Sequence, residues 1–221
     1  EKSLYKFFDG NWLAFPLSEL ELNHSKDSIS KEENNKLKIA TFNVLSIDDI
    51  TAGLYHTEKR FPYQVTKTLP ELEADIIGLN EVEEKYLTDY LLPQAWVREN
   101  YYISAIRNTF KTPVFNVILS KFPFYNVSLD VGHRNSVAGA FLIKNSNFVV
   151  VVSHLNYIEY KHEQRKEQLE SIGKILEENK SKHPWLQNAV DNENIISMGD
   201  LNIHYMSENH YISRLGYADM W

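Results

Sequence analysis

The sequence predicts an α/β sandwich in which mixed β-sheets are flanked by helices. Short apolar runs alternate along the chain with amphipathic stretches, which is the pattern of strands and helices in this class. Residues 148–152 read Phe-Val-Val-Val-Val and contain no polar side chain, as is typical of a strand covered on both faces. The connection between residues 44 and 76 has room for a crossover helix, so the sheets should contain parallel as well as antiparallel pairs.

The predicted strands are short runs rich in Val, Ile, Leu or Phe. Each run is bounded by Asn, Asp, Gly, Ser or Pro, which end strands. The runs lie at residues 38–44, 75–82, 116–120, 138–144, 148–154 and 195–201. Only loops separate the third, fourth and fifth runs, so we predict that these three pair antiparallel to one another.

The predicted helices lie between the strands. Residues 161–180 carry Leu169, Ile172 and Leu176 on one face and mostly charged or amide side chains elsewhere. Residues 84–92 form a shorter helix that Pro93 ends. Residues 60–72 have helical spacing, but Pro70 must end or kink that helix.

The composition excludes several classes of protein. The chain has 221 residues, 43% hydrophobic and 24% charged, which is typical of a globular protein. It contains no cysteine, which excludes disulfides, thiolate zinc sites and a cysteine nucleophile. The net charge of −7 argues against a basic surface spread over the whole molecule, whereas a local basic patch stays compatible with it. The sequence shows no transmembrane segment and no secretory signal, and with the absence of disulfides this favours an intracellular location, cytoplasmic or nuclear.

Several common catalytic motifs are absent from the sequence. It has no GxGxxG or GxxxxGK phosphate loop, no GxSxG nucleophile turn and no HExxH helix. Ser153 and His154 are neighbours on a predicted strand, so their side chains point to opposite faces and cannot form a serine–base pair. Covalent serine catalysis is therefore disfavoured.

Polar side chains stand at the ends of the predicted strands instead. They are Asn43, Glu81, His154, Asp200 and Asn202. Carboxylate and amide oxygens without thiolates suit a hard cation such as Mg²⁺ or Mn²⁺, and such a site favours phosphate-ester chemistry. Each residue also has a structural interpretation. Glu81 would cap the next helix, Asn43 would end a strand, His154 would be a satisfied buried histidine, and Asp200 and Asn202 would form an Asx turn.

Four motifs in this chain resemble those of the endonuclease/exonuclease/phosphatase superfamily, and they occur in the family's order. They are TFNVLS at 41–46, IIGLNEVE at 76–83, VSHLNY at 152–157 and SMGDLNIH at 197–204. The resemblance extends from about residue 38 to residue 221. It implies a four-layer α/β sandwich of two mixed sheets flanked by helices, with Mg²⁺ or Mn²⁺ as cofactor.

The resemblance also implies roles for the strand-end residues near the N terminus. Glu81 matches the metal-ligand glutamate of the second motif, although Asn80 stands before it where the family more often has glutamine. Asn43 matches the asparagine of the first motif, which supports the metal site and the phosphate. Glu81 is therefore the candidate metal ligand, and Asn43 is a candidate catalytic residue.

The later motifs imply contacts with the substrate. His154 matches the histidine that contacts the scissile phosphate. Asp200 and Asn202 match the pair that orients the attacking water and stabilises the transition state. Arg134 matches a position at which some relatives bind substrate phosphate, and a solvated turn arginine is the alternative.

The C-terminal residues depart from the family pattern. The family ends with a Ser-Asp-His motif, and residues 201–221 contain His204 and His210 but no Asp-His pair. We therefore expect the second half of the sandwich to be incomplete and this chain to be a fragment of a longer protein, without activity of its own where the Ser-Asp-His motif is needed. The alternative is an incomplete, inactive version of the family.

Two segments make up the predicted domain organisation. Residues 1–36 form an N-terminal arm and polar linker, and residues 37–221 form the family-like domain without its C-terminal motif. The aromatic residues of the arm should pack against the domain, with stacking on nucleobases as the alternative.

The sequence thus predicts a Mg²⁺-dependent phosphodiester hydrolase, nuclease-like or tyrosyl-DNA-phosphodiesterase-like, with nucleic acid as the favoured substrate. The alternatives are a phospholipid or phosphoinositide phosphoesterase, and a non-catalytic binding module on the same scaffold. Nothing in the sequence indicates an oligomeric state.

Overall fold

The computed structural model describes residues 3–16, 36–46, 56–109, 112–131, 135–204 and 208–218. Within these residues the strands form one six-stranded and one four-stranded sheet, and both sheets are mixed. The α/β class predicted from the alternation of apolar runs and amphipathic stretches is confirmed.

The six-stranded sheet has the order β2-β1-β5-β6-β4-β3. The strands β3 and β4 pair parallel, and the other neighbours pair antiparallel. Its strands are β1 (Leu4–Phe8), β2 (Asn11–Phe15), β3 (Ile39–Asn43), β4 (Ile76–Glu83), β5 (Tyr102–Ile103) and β6 (Val114–Ser120).

The four-stranded sheet has the order β10-β9-β8-β7. Its strands are β7 (Tyr125–Asp130), β8 (Asn135–Ile143), β9 (Ser146–His154) and β10 (Ile195–Asp200). The strands β9 and β10 pair parallel, and the other two pairs are antiparallel. Each sheet therefore has one parallel pair, and the residues that end those strands become candidates for a shared site.

Helices connect the strands. The helical segment α1 passes through Thr57–Tyr63, the π-helical stretch Gln64–Thr68 and Leu69–Glu71. The others are the π-helical α2 (Tyr86–Leu91), α3 (Ala95–Asn100), α4 (His162–Asn179), α5 (Pro184–Asp191) and α6 (Asn209–Arg214). Among the described residues, no helix combines the length and apolar character needed to cross a membrane.

The layers follow from the alternation of side chains along β4. Ile77 and Leu79 belong to the buried cluster that also contains apolar residues of α1, α2 and α3. Gly78 faces the other sheet, because a Cβ atom there would lie 2.6 Å from Val152 and from Met198. A second cluster joins the four-stranded sheet to α4 and α5. The molecule therefore has four layers, helix–sheet–sheet–helix.

The structure corrects one predicted strand pairing. Residues 138–144 and 148–154 pair antiparallel as predicted, but the run at 116–120 lies in the other sheet, between β5 and β4. The reason is β7, a strand that is not among the six predicted runs. This strand pairs with β8 in the second sheet, so the chain changes sheets between β6 and β7.

The N-terminal aromatic residues form a β-hairpin. The strands β1 and β2 pair with each other, and β1 continues the six-stranded sheet through β5. The N-terminal residues therefore pack against the domain as predicted, and they do so by backbone pairing of β1 with β5. The boundary between residues 36 and 37 stays a prediction.

Candidate metal centre

The carboxyl ends of four strands meet at one edge of the two sheets. Asn43 ends β3 and pairs in register with Asn80 of β4, which Glu81 follows directly. His154 ends β9 and pairs in register with Asp200, the last residue of β10. Each sheet thus contributes two neighbouring parallel strands, which point the same way and bring together polar side chains at or near their carboxyl ends.

The side chains of Asn43, Glu81, His154 and Asp200 form one cluster. One possible ligand atom each from Glu81, His154 and Asp200 lies within 4.8 Å of the others. The Nδ2 atom of Asn43 donates to Oε1 of Glu81 at 3.1 Å and to Oδ2 of Asp200 at 2.9 Å. The Nε2 atom of His154 lies 3.5 Å from Oε1 of Glu81. This four-residue cluster therefore joins both sheets.

The oxygens of the cluster fit a divalent cation. Oδ1 of Asp200 accepts a hydrogen bond from the backbone N–H of Asn202 at 3.2 Å. Oε2 of Glu81 is buried and has no hydrogen-bond partner in the part of the chain that the structure describes. A buried carboxylate oxygen without a partner is costly, and a hard cation is a ligand that satisfies it.

A β-bulge directs Glu81 into the cluster. Leu79 pairs with Val117 and Val82 pairs with Phe115, so two residues of β4 oppose Asn116 alone. Glu81 itself has a φ angle of 56°. In a regular strand its side chain would point away from that of Asn80, toward the outer helices. The extra residue turns it to the edge instead, as bulges do beside functional sites.

Neighbouring backbone holds this unusual conformation. A non-glycine residue in the left-handed region costs about 1–3 kcal/mol, so surrounding contacts must maintain it. The carbonyl oxygen of Glu81 accepts hydrogen bonds from the backbone N–H and the hydroxyl of Ser46. The backbone N–H of Val44 donates to the carbonyl of Asn80 at 3.0 Å. The segment after β3 therefore fixes the bulge.

Asn80 connects the two sheets beneath the cluster, and the sequence analysis did not predict this. Its Nδ2 atom donates to Oδ1 of Asn116 at 2.9 Å and to the carbonyl of Ser153 at 3.0 Å. Its Oδ1 atom accepts from the backbone N–H of Asp200 at 3.0 Å. The residue is fully buried. A polar side chain directly before Glu81 in an otherwise apolar strand is the signal that would have indicated this role.

Gly199 allows the close approach of β10 to β9. Its φ angle is 128°, and a Cβ atom there would lie 2.0 Å from the carbonyl oxygen of Ser153. Only glycine fits this position, which lies directly before Asp200.

Asn202 contacts the four-residue cluster through its backbone, and its side chain bonds elsewhere. The Nδ2 atom of Asn202 donates to the carbonyl of Leu155 at 3.0 Å, and its backbone N–H makes the Asx turn with Asp200. The structural interpretation of this pair is therefore present, and the catalytic role of Asn202 stays a prediction. Arg134 lies outside the described residues.

Solved structures of other proteins share this fold. TDP2 from D. rerio, complexed with single strand DNA product, has a TM-score of 0.56 at 16% identity, over 83% of this chain and 66% of that one. The human Nocturnin catalytic domain with bound sulfate has a TM-score of 0.59 at 16% identity, over 81% of this chain and 70% of that one. ANGEL2, a 2',3'-cyclic phosphatase, has a TM-score of 0.59 at 18% identity, over 84% of this chain and 59% of that one. At these identities the similarity demonstrates the fold.

Comparison by sequence gives the family. A search of curated proteins finds no significant match to this chain. A sequence profile of the Endonuclease/Exonuclease/phosphatase family, in contrast, matches residues 40–214. The matched region contains every member of the four-residue cluster, and it agrees with the resemblance predicted from the four motifs. The chain therefore belongs to the endonuclease/exonuclease/phosphatase family.

Proposed function

We propose that this chain is a divalent-metal-dependent phosphodiester hydrolase that acts on nucleic acid, in a nuclease-like or tyrosyl-DNA-phosphodiesterase-like reaction. The observation that carries the proposal is the four-residue cluster. Glu81, His154 and Asp200 offer ligand atoms within 4.8 Å of one another, and Oε2 of Glu81 is buried and without a partner among the described residues. Membership of the family supports the same chemistry.

Glu81 and Asp200 would hold the metal ion. Their carboxylate oxygens are the ligands that Mg²⁺ and Mn²⁺ prefer, and the absence of cysteine from the chain disfavours softer metals. When bound, such an ion neutralises phosphate charge and lowers the pKa of coordinated water.

The side chains around the ion would handle the proton and the developing charge. Asp200 orients the attacking water, and the hydrogen bond from Asn202 to its Oδ1 atom fixes the plane of the carboxylate. His154 supplies a donor at the same edge, where negative charge grows on the phosphate oxygens. The amide of Asn43 donates to Glu81 and Asp200 and so positions both carboxylates. Asn43 is held for this purpose, because its Oδ1 atom accepts from the backbone N–H of Leu45 at 2.9 Å.

The related structures support nucleic acid as the substrate class. The TDP2 structure contains a single strand DNA product, and ANGEL2 is described as a 2',3'-cyclic phosphatase in complex with an adenosine vanadate. Both have the fold of this chain. The alternatives, a phospholipid or phosphoinositide substrate and a binding module without activity, are separated by the experiments below.

Metal binding is the first test of the proposal. Titration of the chain with Mn²⁺ in a calorimeter should show one site, and Glu81→Gln should weaken it by about 10-fold or more because a ligand is lost. Glu170→Gln, the same substitution at an exposed position of α4, is the control and should bind as the unchanged chain does. Equal affinities for both variants would overturn the assignment of Glu81.

Hydrolysis is the second test. The full-length protein, which we expect to carry the Ser-Asp-His motif, should cleave a bis-aryl phosphodiester and single-stranded DNA in the presence of Mg²⁺, and Glu81→Gln or Asp200→Asn in it should each lower the rate ~10²-fold or more. Rates within about twofold for both variants would refute the proposed roles. Cleavage of phospholipid head groups in preference to DNA would favour the lipid alternative. Binding of DNA and metal without turnover would favour the non-catalytic module.

A further inference from the structure

A loop with exposed tyrosines begins directly after the four-residue cluster. Residues 155–161, here called the tyrosine loop, connect β9 to α4. Tyr157 is 61% exposed and Tyr160 is 74% exposed. Because Tyr157 follows His154 by three residues, their Cα atoms lie at most about 11 Å apart. The tyrosine loop therefore borders the proposed phosphate site.

Arg165 fixes the backbone of this loop from below. The side chain of Arg165 is fully buried. Its guanidinium donates to the carbonyls of Asn156 and Ile158 at 3.1 and 2.7 Å, and to that of Glu159 at 3.0 Å. The guanidinium also forms two hydrogen bonds of 2.8 Å with the buried carboxylate of Glu208. The carbonyls on either side of Tyr157 are thus held by one charged group.

The segment after β10 is tied to the same loop. The backbone N–H of His204 donates to Glu208 at 3.2 Å, and Nε2 of His204 lies 3.3 Å from the carbonyl oxygen of Tyr157. The Nδ2 atom of Asn202 donates to the carbonyl of Leu155 at 3.0 Å. These contacts fix the tyrosine loop relative to Asp200 as well as to His154. Its aromatic side chains therefore extend from a preorganised backbone, which lowers the entropy cost of binding.

The chemistry of the loop matches single-stranded nucleic acid. Tyrosine rings stack on any base because every base has a π-face, and two rotatable bonds make them rigid contacts. The Nζ atom of Lys161 lies 5.7 Å from the centroid of the Tyr160 ring, so a positive charge accompanies the aromatic surface. A membrane-binding surface would need a larger apolar patch, whereas this loop carries the exposed Glu159 between its tyrosines.

We propose that Tyr157 and Tyr160 form a stacking surface for the bases that flank a phosphate held at the four-residue cluster, a proposal that rests on the proposed function. The ligand is single-stranded nucleic acid. The base next to the phosphate stacks on Tyr157, and the following base stacks on Tyr160. The surface contributes affinity without reading sequence, because stacking tolerates every base.

The test compares two oligomers of equal length and charge. Binding of a fluorescent single-stranded oligothymidylate with phosphorothioate linkages, which resist hydrolysis, is measured by anisotropy in Mg²⁺, next to an abasic oligomer with the same linkages. Tyr157→Ala and Tyr160→Ala should each weaken binding of the oligothymidylate by at least about 5-fold, the lower limit for loss of one stacked base. Binding of the abasic oligomer should not change. Tyr157→Phe should restore the affinity, because the ring is retained.

Phe8→Ala is the matched control for loss of an exposed ring. Phe8 is 71% exposed. The strand register aligns Lys6 with Tyr102, Tyr102 with Ser120, and Ser120 with Ile76, which begins β4. Since β1 runs away from the cluster, Phe8 lies beyond the opposite end of β4. Its variant should bind both oligomers as the unchanged chain does.

Three results would overturn the inference. One is binding of the oligothymidylate by the double tyrosine variant within about twofold of the unchanged chain. Another is equal weakening for the abasic oligomer. The third is a tyrosine variant that no longer binds phosphatidylcholine–sphingomyelin vesicles but keeps its affinity for the oligothymidylate. That result would show that the loop binds lipid. Calorimetry with Mn²⁺ on the same variants separates failure of this inference from failure of the proposed function. The tyrosine variants retain the four-residue cluster, so they should bind Mn²⁺ even if the tyrosines do not bind bases.

Discussion

Among single residues, Asn80 connects the metal centre most directly to the fold. It pairs with side-chain and backbone groups of Asn116, Ser153 and Asp200, which lie on three other strands and in both sheets. The bonds to Asn116 and Ser153 are buried and the bond from Asp200 is partly buried, and an unpaired polar group in such a place is costly. The position of Asp200 therefore depends on one buried amide side chain between the two sheets.

Replacement of Asn80 should lower the stability of the whole chain. Asn80→Ala leaves the carbonyl of Ser153 and the N–H of Asp200 without their partner, and each loss costs about 1–3 kcal/mol. We expect the free energy of unfolding in urea, followed by tryptophan fluorescence, to fall by roughly 2–5 kcal/mol. Asn100→Ala removes an exposed amide that bonds to Trp96, and it should change stability by less than about 0.5 kcal/mol. Similar losses for both variants would contradict this role of Asn80.

The residues of the candidate site were predictable from the sequence where they follow an apolar run that forms a strand. Asn43, Glu81, His154 and Asp200 each close an apolar run, and strand ends of parallel pairs share an edge. The bulge at Glu81 and the bonds of Asn80 were not predictable, because both depend on the register between β4 and β6. A shift of one residue in that register reverses which face each side chain occupies.

Among the elements, β10 and α4 contain glycines in opposite situations. Gly199 in β10 has a positive φ angle and contacts the backbone of Ser153 so closely that no side chain fits. Gly173 lies inside α4 on an exposed position, and a Cβ atom there would meet nothing within 4 Å. The first glycine is required by geometry, whereas the second only weakens its helix.

Substitution of the two glycines by alanine should therefore have opposite effects. Gly173→Ala should raise the free energy of unfolding by about 0.5–1 kcal/mol, because alanine favours the helix and restricts the unfolded chain. Gly199→Ala should lower it by roughly 3 kcal/mol or more, since the backbone must move away from Ser153. Thermal unfolding measured by circular dichroism gives both values. A stabilising Gly199→Ala would show that β9 and β10 are not packed in this way.

The elements with strong apolar runs were predicted, and the weaker ones were not. The run at residues 148–152 and the stripe of Leu169, Ile172 and Leu176 each identify one element unambiguously. The strand β7 (Tyr-Asn-Val-Ser-Leu-Asp) alternates apolar and polar residues at every position, which is a strand signal that the predictions above did not use, and β5 has only two residues. The pairing partners of both strands are decided by neighbours that lie far away in sequence, so local patterns do not identify them.

For the whole molecule, Tyr101 links the first sheet to its helical layer. Its hydroxyl donates to the carbonyl of Ala74 at 2.6 Å, just before β4. Its ring packs edge to face on Trp96 with centroids 5.5 Å apart. Burial, together with the nearby carboxylate of Asp75, raises the pKa of Tyr101 to about 12.

Stability should consequently fall at alkaline pH. In the unfolded chain a tyrosine loses its proton near pH 10, whereas the folded state keeps it until about pH 12. The contribution of Tyr101 is complete below pH ~10 and is lost as the pH rises through the folded-state value. Urea midpoints should be measured between about pH 8 and about pH 11.5, a range that includes the ordinary tyrosine pKa of ~10. The midpoint should decline less steeply with pH for Tyr101→Phe than for the unchanged chain.

Tyr63→Phe is the control for this pH dependence. Tyr63 is 63% exposed, so removal of its hydroxyl changes few contacts of the folded state. This variant should follow the unchanged chain at every pH. Identical slopes for Tyr101→Phe and the unchanged chain would show that Tyr101 does not couple folding to pH.

The hydrogen bond between Asn43 and Asp200 spans 157 residues of sequence. During synthesis, a nascent chain that has not yet released β10 from the ribosome lacks one of the two carboxylates and the far half of the second sheet's parallel pair. Such a chain cannot assemble the proposed cation site. The site therefore forms only after strands from both ends of this 157-residue interval have been synthesised and have folded together.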